Sequence, residues 1–355
     1  MRILYLLLLI VPVVLGLEIA GVDNHSLMFV LSALALVPLA AVLGNATERV
    51  AEFTGQKIGG LLNATLGNAA ELIITIVALR EGLVDVVKAS IAGSIIGNIL
   101  VVLGAAILLG GLKNGPQRFE ASVASTNATM MSLAVVVLMI PAVFAIGSGE
   151  SHVSDEDIVS LSDGASVVLI VLYGLYLAYT VFGTPTSGIL DTVDEPAHRP
   201  PRRVLYTALA VLAGSTLAIV VMSEILVGAL EPTAEDWGMS ELFVGVMLVP
   251  LVGNVAEHLV AVQVAWKNKM DLAIGIAAGS GLQIALFVAP VLVLVSQFVG
   301  PAPMSIVFNS YELAALVGGV LIMVLISIDG RTNWLEGAQL LALYGILAMA
   351  FWFVP

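Results

Sequence analysis

The chain reads as long apolar runs interrupted by short polar breaks. Set against the roughly 20 residues that a helix needs to cross a bilayer, eleven runs qualify: about 3 to 20, 27 to 53, 58 to 80, 84 to 111, 119 to 146, 161 to 182, 203 to 230, 239 to 266, 270 to 298, 308 to 328 and 334 to 354. The pattern predicts an all-α polytopic membrane protein of about eleven transmembrane helices. In the first run Arg2 precedes an apolar stretch, as in a signal peptide, but Gly16-Leu17-Glu18 lacks a clear small-residue cleavage site. The run is read as a retained helix.

Composition agrees. Hydrophobic residues make up 59% and charged residues 11%, with a mean hydropathy of +1.07, far from the roughly 25% charged residues of a globular domain. The absence of cysteine excludes disulfides, thiolate metal sites and cysteine nucleophiles. A net charge of −13 argues against a nucleic-acid partner, which needs a basic face. The expected surroundings are the lipid bilayer of a cell membrane.

The basic residues set the expected orientation. With the spans numbered in order, one face receives Arg2, Arg49, Lys57, Lys113, Arg118, Arg199, Arg202, Arg203, Lys267, Lys269 and Arg331, and the other only Arg80 and Lys88. The positive-inside rule then puts the N-terminus in the cytoplasm and, after eleven crossings, Pro355 outside. The outer face collects acidic residues such as Glu150, Asp155, Glu231 and Glu235, a distribution that concentrates cations or simply aids solubility.

Part of the sequence occurs twice. Gly67-Asn68-Ala69-Ala70-Glu71 returns 186 positions later as Gly253-Asn254-Val255-Ala256-Glu257, and Ala92-Gly93-Ser94 returns at the same offset as Ala278-Gly279-Ser280. The expected organisation is therefore an N-terminal helix (1–26), a five-helix repeat (27–182), a proline-rich cytoplasmic linker (183–202) and a second five-helix repeat (203–355). Five is odd, so the second repeat enters from the opposite face, the inverted plan of secondary transporters with a midplane site.

Each copy sets a glutamate in the middle of apolar sequence, where an ionisable side chain is costly unless it faces partners or water. Asn68 and Thr75 lie one helical turn either side of Glu71, and Asn254 precedes Glu257 in the same way. Gly67 and Gly253 weaken the helix and let carbonyls turn toward a cavity. On the following helices Gly93 and Gly279 belong to small-residue spacings that permit close contact, while Ser94 with Asn98 and Ser280 with Gln283 add oxygens. These positions could also simply glue helices together. A second glutamate precedes each motif: Glu48, 23 residues before Glu71, and Glu224, 33 before Glu257, the extra length being assigned to a loop around Pro232 to Trp237. His258, where the first copy has Leu72, is either a proton relay or a packing residue. Glu120 and Glu312 are expected to stabilise helix N-termini.

Two carboxylates with amide, hydroxyl and carbonyl oxygens suit a hard cation with six to eight oxygen ligands, calcium better than magnesium. Glu71 and Glu257 are the expected metal ligands. Two protons or one divalent ion neutralise such a pair equally well but not together, and exclusive loading of one alternating-access site is antiport.

At these residues the chain resembles a known family. Gly67-Asn68-Ala69-Ala70-Glu71-Leu72 through Lys88-Ala89-Ser90-Ile91-Ala92-Gly93-Ser94-Ile95-Ile96-Gly97-Asn98 is similar to the first signature repeat of the calcium/proton exchangers of the calcium/cation antiporter superfamily. Gly253 to His258, Lys267 to Leu272 and Gln283 to Val288 are similar to the second, and Ser223 to Gly228 to the segment before it. The resemblance implies an eleven-helix exchanger of prokaryotic type that exports calcium using the proton gradient, with Glu71 and Glu257 as central carboxylates. It also implies Glu48 and Glu224 on gating helices as proton or ion sites. Val255 and Gly281-Leu282 depart from the usual pattern without touching a proposed ligand type, and the linker is shorter and less acidic than in many members.

The expected activity is thus exchange of calcium for protons, with both as cargo and no cofactor. A sodium-coupled exchanger is the alternative, although such relatives usually carry proline where this chain has Ala70 and Ala256. A passive cation channel is the alternative from another class. No His-Glu-x-x-His pair or Gly-x-Ser-x-Gly elbow suggests an enzyme.

Overall fold

The computed structural model of the protein describes residues 6–54, 62, 65–147, 154–182 and 202–354. The linker lies outside them up to Arg202, where a helix begins. The described chain is almost wholly helical: α1 Leu7–Ile19, α2 His25–Thr54, α3 Ala69–Arg80, α4 Val84–Asn114, α5 Ala121–Gly147, α6 Asp155–Phe182, α7 Arg202–Gly228, α8 Leu230–Trp237, α9 Glu241–Gly253, α10 Val255–Trp266, α11 Met270–Ser296, α12 Ser310–Ser327 and α13 Trp334–Phe353. A departure from the all-α expectation is small: β1 Gln117–Arg118 pairs antiparallel with β2 Arg331–Thr332.

Helices dominate because backbone groups in hydrocarbon must be satisfied within their own segment. Where helices start, side chains take over. Asn309 accepts from the backbone N–H of Tyr311 and Glu312 at 2.9 Å, and Glu312 accepts from Asn309 N–H at 2.8 Å, closing a capping box on α12. Glu312 thus has its expected place at a helix N-terminus, and Glu120 lies just ahead of Ala121, where α5 starts.

Among the described residues eight helices are long and apolar enough to span a bilayer, or nine if α8 and α9, bent by 115°, count as one. Two of the eleven expected runs, 58–80 and 239–266, contain breaks at Gly67-Asn68 and Gly253-Asn254, which leave α3 and α10 as half-helices of 12 residues each. The loop expected around Pro232 is corrected to the helix α8. Proline is tolerated in the first turn of a helix, Glu231 suits its positive end, and Gly238 closes it in a left-handed conformation at φ +64°.

Boundaries recur at the offset of the repeated motif. The helices α3 and α10 begin and end 186 residues apart, and so do the α-helical stretches Val84–Gly97 and Met270–Gln283. Each stretch then loosens into a π-helical turn, Asn98–Val102 in α4 and Ile284–Val288 in α11, again at the same offset.

Burial identifies the centre. In α4 and α11, 72% and 67% of the most apolar window is buried, and no other long helix exceeds 44%. Around them pack α5, α6, α10, α12 and α13, forming one hydrophobic core. A second core joins α1, α2, α7 and α8 with residues of α3, α4 and α9, α2 and α7 lying along each other and α7 against α3. Leu175, Leu217, Leu321 and Ile346 lie exposed on the outer helices, as an apolar belt in contact with lipid requires.

Candidate ion-binding site

Two helix breaks build the site. Asn68 and Asn254 leave helical geometry in the same way, with φ −98°, ψ 27° and φ −91°, ψ 8°. Their carbonyls then accept the backbone N–H of Leu72 and His258, both at 3.0 Å. Glu71 and Glu257 consequently fall in the first turns of α3 and α10 and not in the middle of continuous helices. That position favours a negative group, because the free amides and helix dipole point toward it.

The carboxylate of Glu71 reaches across to the other copy of the motif. A Cβ added to Gly253 would lie 2.9 Å from Glu71 Cγ and 3.1 Å from Oε1, so this approach requires glycine. Glu71 and Glu257 are close enough to interact electrostatically. Glu71 is buried, Glu257 partly so.

Amides and hydroxyls of the two copies are crossed. Ser280 Oγ donates to Asn68 Oδ1 at 3.1 Å and accepts from Asn98 Nδ2 at 3.0 Å. Asn68 Nδ2 donates to Gln283 Oε1. In the mirrored position Asn254 Nδ2 donates to Ser94 Oγ at 3.3 Å and to the Pro250 carbonyl at 3.1 Å. Asn98 opens one π-helical turn and Gln283 immediately precedes the other, a type of irregularity frequent at functional sites.

After these bonds are made, an excess of acceptors remains. Both oxygens of Glu71, Oε2 of Glu257, Oδ1 of Asn98 and Oδ1 of Asn254 are buried without a hydrogen-bond partner among the described residues. Buried polar groups are nearly always paired, and an orphan costs about 1–3 kcal/mol. Acceptors without donors call for a cation or protons. No cluster of three or more His, Asp or Glu side chains able to hold a metal ion occurs among the described residues.

Other expected residues stand outside this network. Glu48 is exposed on α2, and Glu224 is exposed near the end of α7. The Thr75 hydroxyl donates to the carbonyls of Glu71 and Leu72 and is committed to its own helix. His258 is half-buried and makes no side-chain hydrogen bond among the described residues. Gly93 lies against the Val246 carbonyl and Pro250 of α9, as the small-residue spacing anticipates. At Gly279 a Cβ would meet nothing within 4 Å; residues 58–64, which correspond to α9 by the repeat offset, are outside the described residues except Leu62.

Two features escaped the sequence reading. Glu224 pairs with Arg80 at 3.0 Å. The turn after α10 is fastened by Gln117 Nε2, which donates to Ala265 O at 3.1 Å and Asn268 Oδ1 at 3.0 Å, and by Asp271 Oδ1, which accepts from Glu120 N–H at 2.6 Å.

Comparison with known proteins identifies the family. The family model described as sodium/calcium exchanger protein matches residues 25–182 and again 207–353. The chain is 44% identical to the Ca(2+)/H(+) antiporter of Aphanothece halophytica, over 98% of this chain and 96% of that one. It is 43% identical to the Ca(2+)/H(+) antiporter ChaA of Bacillus subtilis, with 92% of each covered. Its fold is similar to that of native YfkE, with a TM-score of 0.84 and 39% identity over 99% of this chain and 100% of that one. An H+/Ca2+ exchanger, CAX, at 14% identity and a TM-score of 0.76 over 98% of this chain and 91% of that one, shares the fold. The chain is an integral membrane protein of the sodium/calcium exchanger protein family, grouping with its calcium/proton antiporters.

Proposed function

We propose that the protein is a secondary active transporter that exchanges calcium ions for protons through one site between Glu71 and Glu257. The observation that carries this reading is the set of five buried oxygens lacking donors, drawn from both copies of the motif. A calcium ion draws its ligands from such oxygens, and protons neutralise the two carboxylates and turn each into a hydrogen-bond donor; the two loads exclude each other. Relatives at 43–45% identity bear the name Ca(2+)/H(+) antiporter, and calcium and protons are cargo here, not cofactors.

The transporter architecture we infer has eleven spans: the N-terminal helix, then two five-helix repeats of opposite orientation joined by the 183–202 linker. Equal offsets of helices and π turns, and the double match of one family model, support it. The breaks at Asn68 and Asn254, each starting a half-helix that bears one of the two glutamates, support this reading, since inverted-repeat transporters set half-helix N-termini at their sites. Alternating access needs elements that move together, and α2 and α7, which lie along each other in the second core, are suited to it. Glu48 and Glu224 ride on these two helices, outside the central network, and fit a role in the access paths. The cytoplasmic N-terminus and outer C-terminus follow from the distribution of basic residues.

Calcium flux into proteoliposomes driven by an imposed pH gradient tests the function. It should be present in the unsubstituted protein and lost in Glu71→Gln and Glu257→Gln. Flux driven instead by a sodium gradient identifies a sodium-coupled exchanger, and flux without counter-transport identifies a channel.

A further inference from the structure

The half-helices α3 and α10 correspond in length and position, yet their C-terminal ends are held by different chemistry. At the end of α10 the bonds go to the backbone: Lys113 Nζ donates to the Trp266 carbonyl at 3.1 Å, and Asn114 Nδ2 to that of Ala265 at 3.2 Å. The one carboxylate in that turn, Asp271, accepts from the Glu120 backbone N–H and is not part of an ion pair between helices. At the end of α3 the hold is ionic. Arg80 Nη2 lies 3.0 Å from Glu224 Oε1 on α7 and 3.3 Å from Glu81 Oε1, so one guanidinium nitrogen sits between two carboxylates. Arg80 occupies the last turn of the helix whose first turn bears Glu71, and Glu224 lies near the end of α7, the helix packed along α2. Among the described residues this is the one ion pair between separate helices.

The pair is exposed, with 55% of the Arg80 side chain and 43% of Glu224 open to solvent. Its contribution to stability is accordingly small, and its position has to be explained otherwise. Arg80 is also one of only two basic residues on the acidic face. A field that attracts cations therefore meets, at Glu224, a carboxylate already neutralised by the chain itself. We propose that Arg80 is a tethered counter-ion that an arriving divalent cation displaces from Glu224, so that Arg80 sets the apparent calcium affinity from that face. Displacement removes the ionic hold between the end of α3 and α7 and couples arrival of the ion to their relative position. Arg80 is a positioning residue and touches no proposed ligand of the central site. The inference rests on the transport reading above.

The test is the apparent KM for calcium presented on the Arg80 face of the full chain in proteoliposomes. Arg80→Gln removes a competitor and should lower KM by about two- to fivefold, the range of an exposed ion pair. Glu224→Gln removes the carboxylate and should raise KM. A merely structural pair moves both variants in the same direction. That result, or an unchanged KM in Arg80→Gln, overturns the proposal. Should Arg80→Gln not fold, Arg80→Lys decides: the weaker, unforked cation should lower KM by less, whereas an unchanged or raised KM contradicts displacement. Absence of flux in the unsubstituted protein removes the transport reading and this proposal together; flux with unshifted KM removes this proposal alone.

Discussion

Glu71 rests against the bare α-carbon of Gly253, the glycine that opens the other copy of its own motif. With a Cβ at that position only 2.9 Å from Glu71 Cγ, Gly253→Ala has to push the carboxylate stem aside. Overpacking costs about 1–3 kcal/mol, and here the displaced atoms belong to a proposed ligand. Calcium transport by Gly253→Ala should fall by about ten- to a hundredfold while the protein remains folded, as read by proteoliposome flux alongside size-exclusion behaviour.

The two crossed asparagine–serine contacts differ in what each serine supports. Ser280 joins Asn98 and Asn68, so Ser280→Ala strands a donor and an acceptor at once. Among the described residues Ser94 serves only Asn254, whose Nδ2 keeps the Pro250 carbonyl. A stranded buried group costs about 1–3 kcal/mol. Calorimetric calcium affinity should therefore drop about tenfold in Ser280→Ala, and by clearly less in Ser94→Ala.

How legible this was follows from particular residues. The long helices could be read because hydrocarbon leaves the backbone no other partner, and the motif duplication exposed Glu71, Glu257, Asn68 and Asn254 as a set. Gly67 and Gly253 signalled a weakened helix, but hydropathy runs straight through Gly67-Asn68, so a full break with Glu71 in a first turn was not legible. The helix α8 was hidden because Pro232, Thr233 and acidic residues resemble a loop, although Pro near its start and Gly238 after its end are the marks of a short helix. The Arg80–Glu224 pair joins residues 144 apart, and no local pattern encodes that meeting. The π turns also left no periodic signature.

Packing gives a separate prediction about stability. At Gly93 an added Cβ would run into the Val246 carbonyl and lie 2.7 Å from Pro250 Cγ, whereas at Gly345 it would meet nothing within 4 Å. Gly93→Ala should destabilise the protein by about 1–3 kcal/mol. Gly345→Ala, in a helix interior, should be neutral or stabilising by up to about 1 kcal/mol. Thermal unfolding in detergent compares the two, and equal melting temperatures would contradict the close α4–α9 contact.

The central claim is that Glu71 and Glu257 form one site, loaded either by a calcium ion or by protons. Isothermal titration of the purified full chain with calcium, in buffers of different ionisation enthalpy, measures ion stoichiometry and proton release together. One calcium ion should bind per chain with release of protons, and both Glu71→Gln and Glu257→Gln should abolish binding. Retention of a bound calcium ion by either single variant, or binding without proton release, would contradict it.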